Sequence, residues 1–496
     1  MIPVPDKHIL SKSTFMRGCQ CAKSLYLHKN QPELKDEISE QQEASFDRGT
    51  SVGEMARQIF PGGIDASPES SYEYRKSVAF TQQLINAGER IIYEAAFQFE
   101  GVLAAIDILV KEDDQWKAYE VKSTTRVKET HLQDAALQYY VITKAGISLS
   151  DISIVHLNNQ YIRMGELDLR QLFTLESILE KVKDNQDFVA NKILELKAVI
   201  NLNEVPVVDI GAHCHSPYSC DFEGHCWQHI PQPSVFNISR LRKKKQFDLY
   251  HQGIIRFEDI TEDVTLSRNQ RLQVSSHLNK AEYLDRSGIE EFLSGLSYPL
   301  YFLDFETFNP AIPLYDRNRP YQQIPFQYSI HYKENKDGEL RHDEFLALPI
   351  SDPRPVFIEQ LVTKTEGIGD ILTYNQNFEK TRLKELARDF PEYSAALMDR
   401  ISRIKDLMPP FQQRLYYAHT MNGGYSIKDV LPALVPELRY DDLPINNGGD
   451  ASLSFEQMIY EPTADHSETR NNLLAYCGLD TLAMVKILER LEKVVI

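Results

Sequence analysis

The chain has 496 residues, 42% hydrophobic and 25% charged, ordinary proportions for a globular protein. No apolar run approaches the ~20 residues that span a bilayer, and six cysteines are too few at this length for a disulfide scaffold. The net charge of −18 excludes a general basic coat for nucleic acid, though not a site that gathers carboxylates around cations. At about 150 residues per domain, roughly two to four domains are expected.

The start, MIPVPDKHILSKSTF, has no basic region followed by an apolar core. A cytoplasmic protein with reduced thiols and no membrane partner is therefore expected. Residues 1–60 read as helical. RIIYEAAFQFEGVLAAIDILVKEDDQWKAYEVKS reads as three strands with turns at EG and EDDQ. KETHLQDAALQYYVITKAG has helical spacing and closes at Gly146. ISIVHLN reads as a strand, and DLRQLFTLESILEKVKDNQDFVANKI as one long amphipathic helix. HCHSPYSCDFEGHCW follows, and QHIPQPSVFNI marks the first boundary. Residues 229–298 read as a helical connector. YPLYFLDFET opens a second strand-rich region, with DILTYN as a strand and FEKTRLKELARDF and NNLLAYCGLDTLAMVKILERLEKV as helices. The expected fold class is α/β (α+β), with one module over 1–228 and a second over 299–496.

In the first module, Glu120 and Lys122 lie two apart on a strand and so point to one side. Asp107, on the neighbouring strand, is placed to share a divalent ion with Glu120. Lys122 would orient water or offset charge on a phosphate, and Glu94 is a further carboxylate. A lone Glu-x-Lys is common on solvated strands. The βββα order and Gln138 in DAALQYY add weight. The set resembles the RecB-like branch of the PD-(D/E)XK nucleases, which have a restriction-endonuclease-like fold. That resemblance implies catalytic Asp107, Glu120 and Lys122, a Mg²⁺ or Mn²⁺ ion on Asp107 and Glu120, and Gln138 toward the substrate. RGTSVGEMA resembles the early helix in which many members carry a metal-binding histidine; here the position is Gly53, followed by Glu54.

Cys214, Cys220 and Cys226 stand six apart, and Cys21 lies near the start in LSKSTFMRGCQCAKSLYLHK. This one-plus-three split resembles the iron–sulfur subgroup of RecB-like nucleases, which includes a CRISPR-associated nuclease and the AddB-type helicase–nucleases. It implies a [4Fe–4S] cluster on Cys21, Cys214, Cys220 and Cys226. The late spacing departs from the commoner pattern. Zn²⁺ is the alternative, since His213, His215 and His225 flank the cysteines, although the usual C-x₂₋₄-C pairs are missing. Cys19 is an alternative to Cys21, and Cys477 belongs to a different site.

In the second module Asp304 and Glu306 share one strand face, a costly arrangement without a cation between them. TYNQNFEKTRL adds Asn375 and Glu379. AYCGLDTLAM adds Tyr476 and Asp480, four apart on a helix. Four acids from three segments suit two divalent ions that clamp an attacking water and a leaving oxygen, with Tyr476 orienting the water. The three motifs resemble the DnaQ-like exonucleases of the RNase H-like fold, in their DEDD form with tyrosine. Glu379 stands where aspartate is commoner. The resemblance implies 3′–5′ exonuclease chemistry with Mg²⁺ or Mn²⁺ on Asp304, Glu306, Glu379 and Asp480. Asn375, with Lys428 and Ser426 of GGYSIKDVLPAL, falls to substrate contacts; LRKKK, residues 241–245, is a basic run suited to phosphates or to solvent.

Both halves together resemble a bacterial family that fuses a RecB-like domain with clustered cysteines to a DnaQ-like domain. That implies a metal-dependent nuclease acting on nucleic acid, DNA before RNA, in repair, recombination or defence. The rival expectation, fed by Gly53 and Glu379, is a non-catalytic nucleic-acid-binding or adaptor protein on degenerate nuclease folds.

Overall fold

In the computed structural model, which describes residues 9–38, 40–70 and 73–495, helices and mixed sheets alternate along the chain, an α+β architecture. No helix among the described residues is long and apolar enough to cross a membrane. Contact density divides the chain into two units. The first is Met1–His229 with Pro310–Tyr321; the second is Ile230–Asn309 with Gln322–Ile496.

The first unit holds a seven-stranded sheet. Its strands are β1 (Leu10–Ser11), β2 (Ile64–Asp65), β3 (Ile91–Phe99), β4 (Val102–Glu112), β5 (Gln115–Lys122), β6 (Leu149–Leu157) and β7 (Phe173–Ser177). They run in the order β2–β3–β4–β5–β6–β7, with β1 beside β4. The hairpins joining β3, β4 and β5 turn on left-handed residues, Glu100–Gly101 and Asp113–Asp114. Six helices matter here: α1 (Lys12–Gln20), α2 (Ala22–Asn30), α3 (Glu40–Arg57), α4 (Tyr74–Ala87), α5 (Glu129–Lys144) and α6 (Gln186–Ile200). Helix α5 carries the chain from β5 to β6, which pair in parallel. Ala104, Ile106 and Leu109 of β4 pack in a core with Phe15 of α1 and Ala135, Ala136 and Leu137 of α5. Ile108 and Val110 pack instead with Val52 and Ala56 of α3. The apolar face of β4 thus changes phase around Asp107. The β3–β4 ladder skips the Glu94–Asp107 pair there, and Glu94 has a left-handed φ of 51°.

The single long helix expected from DLRQLFTLESILEKVKDNQDFVANKI is not formed. A short helix, Leu169–Leu172, leads into β7, and helices resume at Leu179–Asp184 and α6. Residues 173–177 pair antiparallel with β6, where a free sheet edge overrides helical periodicity.

The second unit contains β8 (Glu282–Leu284), β9 (Leu300–Phe308), β10 (Ile324–Lys333), β11 (Arg341–Leu346), β12 (Ile371–Thr373), β13 (Ile404–Asp406) and β14 (Tyr416–Ala418). Five strands form a sheet in the order β11–β10–β9–β12–β13. The first three are antiparallel; β12 runs parallel to β9 and to β13. The helices used below are α7 (Lys243–His251), α8 (Arg268–Asn279), α9 (Arg286–Ser294), α10 (Arg354–Lys364), α11 (Asn377–Asp389), α12 (Ile427–Leu434), α13 (Gly448–Tyr460) and α14 (Ser467–Val495). Tyr301, Leu303 and Phe305 of β9 join a core with Phe357, Ile358 and Leu361 of α10 and Leu383 of α11. Strand alternation therefore sends Asp304 and Glu306 to the opposite face. There Phe308 packs on Phe326 and on Phe455 of α13.

Two expected boundaries change. The connector of residues 229–298 is not a separate body: from Ile230 onward it belongs to the second unit. β8 pairs with β14, and the buried Gln273 of α8 accepts from Ser239 N and donates to the Asn237 carbonyl. Residues 310–321, expected in the C-terminal module, belong to the first unit. Arg163 donates to the carbonyls of Pro313 and Leu314 at 3.0 and 2.7 Å, and Ala311 joins the apolar cluster beneath.

Candidate functional site

The first carboxylate site forms where β4 and β5 stop pairing. Asp107 Oδ2 accepts the Val121 N–H at 2.6 Å. Glu120 is buried and both its oxygens are engaged. Oε1 takes Lys12 Nζ and Lys122 Nζ, each at 2.7 Å, and Oε2 takes Gln138 Nε2 at 2.5 Å. Lys122 also bonds Asp134 of α5. Burial alone would raise Glu120, but Lys12 and Lys122 outweigh it and hold the carboxyl well below its usual range. Burial and the Glu120 charge push Asp107 well above its own. The two acids are therefore shifted in opposite directions.

Asp107, Glu120 and Lys122 come together as expected. Gln138, expected to face substrate, is instead fully buried and anchors Glu120 and the Ala105 carbonyl. Glu94 bonds Arg57 at 2.9 Å. A Cβ at Gly53 would meet nothing within 4 Å, so the backbone there has room for a larger side chain. Lys12 and Asp134 escaped the sequence reading, because no local pattern ties a residue at the start of α1 to a strand 108 positions away.

Cys21, Cys214, Cys220 and Cys226 line one small cavity with Ile210, His213 and Phe222. Cys21 is the N-cap of α2, and its Sγ accepts the Ser24 N–H at 3.4 Å. Gly211 N–H points to Cys214 Sγ at 3.5 Å. Burial raises the Cys21 thiol above its ordinary range, against the pull of its backbone donors. Arg17 of α1 pairs with Asp221, and Gln20 donates to the carbonyls of His213 and Tyr218 at 2.8 and 2.7 Å. Cys19 points elsewhere, against the sheet core. His215 turns to Glu223 at 3.2 Å and packs on Trp227.

In the second unit Asp304 and Glu306 of β9 face α14, which presents Tyr476, Cys477 and Asp480. Asp304, Glu306 and Cys477 have ligand atoms all within 4.8 Å of one another, the one such group among the described residues. Burial and the charges of Asp480, Glu306 and Glu379 push Asp304 well above the carboxylate range. Burial and Asp480 do the same to Glu306. Burial, with Asp406 nearby, brings Glu379 up to about 8. Burial takes Asp480 up to about 6, against the pull of Tyr440, Lys428 and Tyr476. Glu379 Oε2 is buried with no hydrogen-bond partner. Buried acids gathered this way, with an orphan acceptor among them, could hold a cation.

Tyr440, which the sequence reading missed, donates to Asp480 Oδ1 at 2.6 Å. Burial, then Asp480, drives both Tyr440 and Tyr476 far above the usual phenol range, so both are donors here and not bases. Lys428 bonds the Asn446 carbonyl at 2.6 Å, and its ammonium lies over the rings of Tyr440 and Tyr476. It therefore stands beside the acids. Asn375 is exposed and left-handed at φ 71°, and its backbone N–H bonds Asp406.

Residues 301–426 match a family described as a domain of unknown function, DUF2779. The match takes in β9 and Glu379 and stops short of α14. The chain is similar to the uncharacterized protein UU173 of Ureaplasma parvum, 25% identical over 233 residues, covering 42% of this chain and 33% of that one. It is also similar to the uncharacterized MG366 homolog of Mycoplasma pneumoniae, 26% identical over 207 residues, covering 38% and 31%. The chain spans about a third of the length of these curated relatives.

Proposed function

We propose that the protein is a metal-dependent nuclease whose second unit removes nucleotides from 3′ ends, on DNA before RNA, in a cytoplasmic setting. The observation that carries this reading is the meeting of Asp304, Glu306, Glu379, Asp480 and Tyr476 from one strand and two helices. The central strand β9, flanked by antiparallel β10 and parallel β12, supports an RNase H-like, DnaQ-like framework. Asp304, Glu306, Glu379 and Asp480 would hold divalent ions, which when bound would supply charge neutralisation and an activated water. The chain's own groups then have defined work. Tyr476 and Tyr440 orient Asp480 by donating hydrogen bonds, and Lys428 offsets charge on a phosphate beside them. Hydrolysis adds water across the phosphodiester: the phosphorus–O3′ bond breaks, a proton goes to O3′, and a 5′-mononucleotide leaves.

In the first unit the three-strand meander, α5 and β6 support a PD-(D/E)XK, RecB-like framework. Glu120, however, has both oxygens on protein cations and an amide, which favours a second reading of that site as a nucleic-acid grip. The cysteine cavity supports a [4Fe–4S] cluster over zinc. A single zinc ~2.3 Å from each sulfur sets the sulfurs about 3.8 Å apart, whereas no three of these sulfurs fall within 4.8 Å.

The test is digestion of end-labelled single-stranded DNA with Mg²⁺ or Mn²⁺. Asp304→Ala is expected to lower the rate by several orders of magnitude, with mononucleotides released from a free 3′ end and stalling at a blocked one. Equal degradation of a blocked strand would replace the exonuclease reading with an endonuclease. No metal-dependent cleavage at all would favour the binding or adaptor reading.

A further inference from the structure

Cys477 has no part in the hydrolysis just described, yet it lies inside the acid cluster. It follows Tyr476 on α14 and is fully buried. Its Sγ is 4.0 Å from Asp304 Oδ2 and 3.9 Å from the Asp304 carbonyl oxygen. A buried cysteine ordinarily packs as a small hydrophobe. This one makes up, with one oxygen from each of Asp304 and Glu306, the close ligand group of the unit. The second observation is independent of it. Glu379, 2% exposed, keeps an oxygen with no hydrogen-bond partner, and its charge acts on both Asp304 and Glu306.

Oxygen-only sites suit Mg²⁺ and Mn²⁺, whereas adding a sulfur shifts preference toward borderline and soft ions. We propose that Asp304, Glu306 and Cys477 form a mixed oxygen–sulfur site that takes a thiophilic divalent ion of the zinc class. Binding exchanges the Cys477 proton for the ion, the proton passing to solvent, and oxidises nothing. The proposal rests on the same carboxylates as the nuclease reading. A zinc-class ion there competes with Mg²⁺ and switches hydrolysis off, so the enzyme would be sensitive to free zinc.

The experiment uses the full chain with its other cysteines unchanged. Cd²⁺ is titrated in and thiolate-to-cadmium charge-transfer absorption is followed for wild type, Cys477→Ser, Cys477→Ala and Asp304→Asn, each checked for an unchanged melting transition. Wild type should show an absorption increment missing from both Cys477 variants, with Cd²⁺ affinity for it weakened about tenfold or more in Asp304→Asn. The zinc concentration that halves Mg²⁺-supported cleavage should rise about tenfold in whichever Cys477 variant folds. An increment of equal size in wild type and both Cys477 variants overturns the proposal. Asp304-dependent cleavage without a Cys477-dependent increment removes the thiophilic site and leaves the nuclease reading standing. The increment without any cleavage does the reverse.

Discussion

Glu120 shows how a buried carboxylate is kept charged. Two ammonium groups share Oε1 and an amide holds Oε2, so each lone pair with a partner offsets part of the desolvation cost. The two lysines are not equivalent. Lys12 is about a third exposed and reaches Asp134 only at 3.8 Å, whereas Lys122 is more buried and bonds both Glu120 and Asp134 closely. Lys12→Met should therefore cost about 1 kcal/mol of stability, near the exposed-pair range. Lys122→Met should cost about 3 kcal/mol, because Lys122 is the more buried of the two and makes the closer bond to Asp134. Both tryptophans, Trp116 and Trp227, lie in the first unit, so urea unfolding followed by tryptophan fluorescence reads this directly. Equal and negligible costs would mean that the network does not form in solution.

Helix α1 links the two features of the first unit. Its nine residues rise about 13 Å from Lys12, at the carboxylates, to Cys21 at the cysteine cavity. A capping box between Ser11 and Thr14 fixes one end, and Arg17 and Gln20 tie the other to the cysteine loop. Metal in the cavity would hold that end, and metal-binding energy would then be folding energy. Anaerobically purified protein is expected to be brown with about four irons per chain. Cys21→Ser should lose the iron and lower the tryptophan-detected transition, while Cys19→Ser should keep both. Stoichiometric zinc without iron would reject the cluster and support the zinc alternative.

Across the whole molecule, the metal-free acids of the second unit make stability depend on pH. Glu379 is raised from 4.5 to about 8 and Asp480 from 3.8 to about 6, each chiefly by burial. Between the ordinary and the raised values the folded chain holds protons that the unfolded chain has released. Stability contributed by these groups is therefore greatest below about pH 4 and falls as pH rises toward 8. Divalent ions held by the acids would replace those protons. In EDTA, the transition seen by far-ultraviolet circular dichroism but not by tryptophan should drop by roughly 5 °C or more between pH 5 and 8. Mg²⁺ should restore it at pH 8. A transition indifferent to pH in EDTA would show that the acids are not buried together.

Three pairings were legible from spacing alone: Glu120 with Lys122, Asp304 with Glu306, and Tyr476 with Asp480. Strands alternate faces every two residues and helices repeat a face every four, so neighbours of this kind are fixed by local geometry. The turns at Glu100–Gly101 and Asp113–Asp114 were legible for the same reason. Other features needed a distant partner. The strand at Phe173–Ser177 exists because β6 offers an edge, the connector joins the second unit because β14 pairs with β8, and residues 310–321 follow Arg163. Lys12 reaches Glu120, Gln138 turns from substrate to carboxylate, Tyr440 reaches Asp480, and Cys477 meets Asp304 only once the sheets and helices are packed. Sequence determined which groups each element presents together. Tertiary structure decided which elements meet, because that depends on burying apolar faces from segments far apart in the chain.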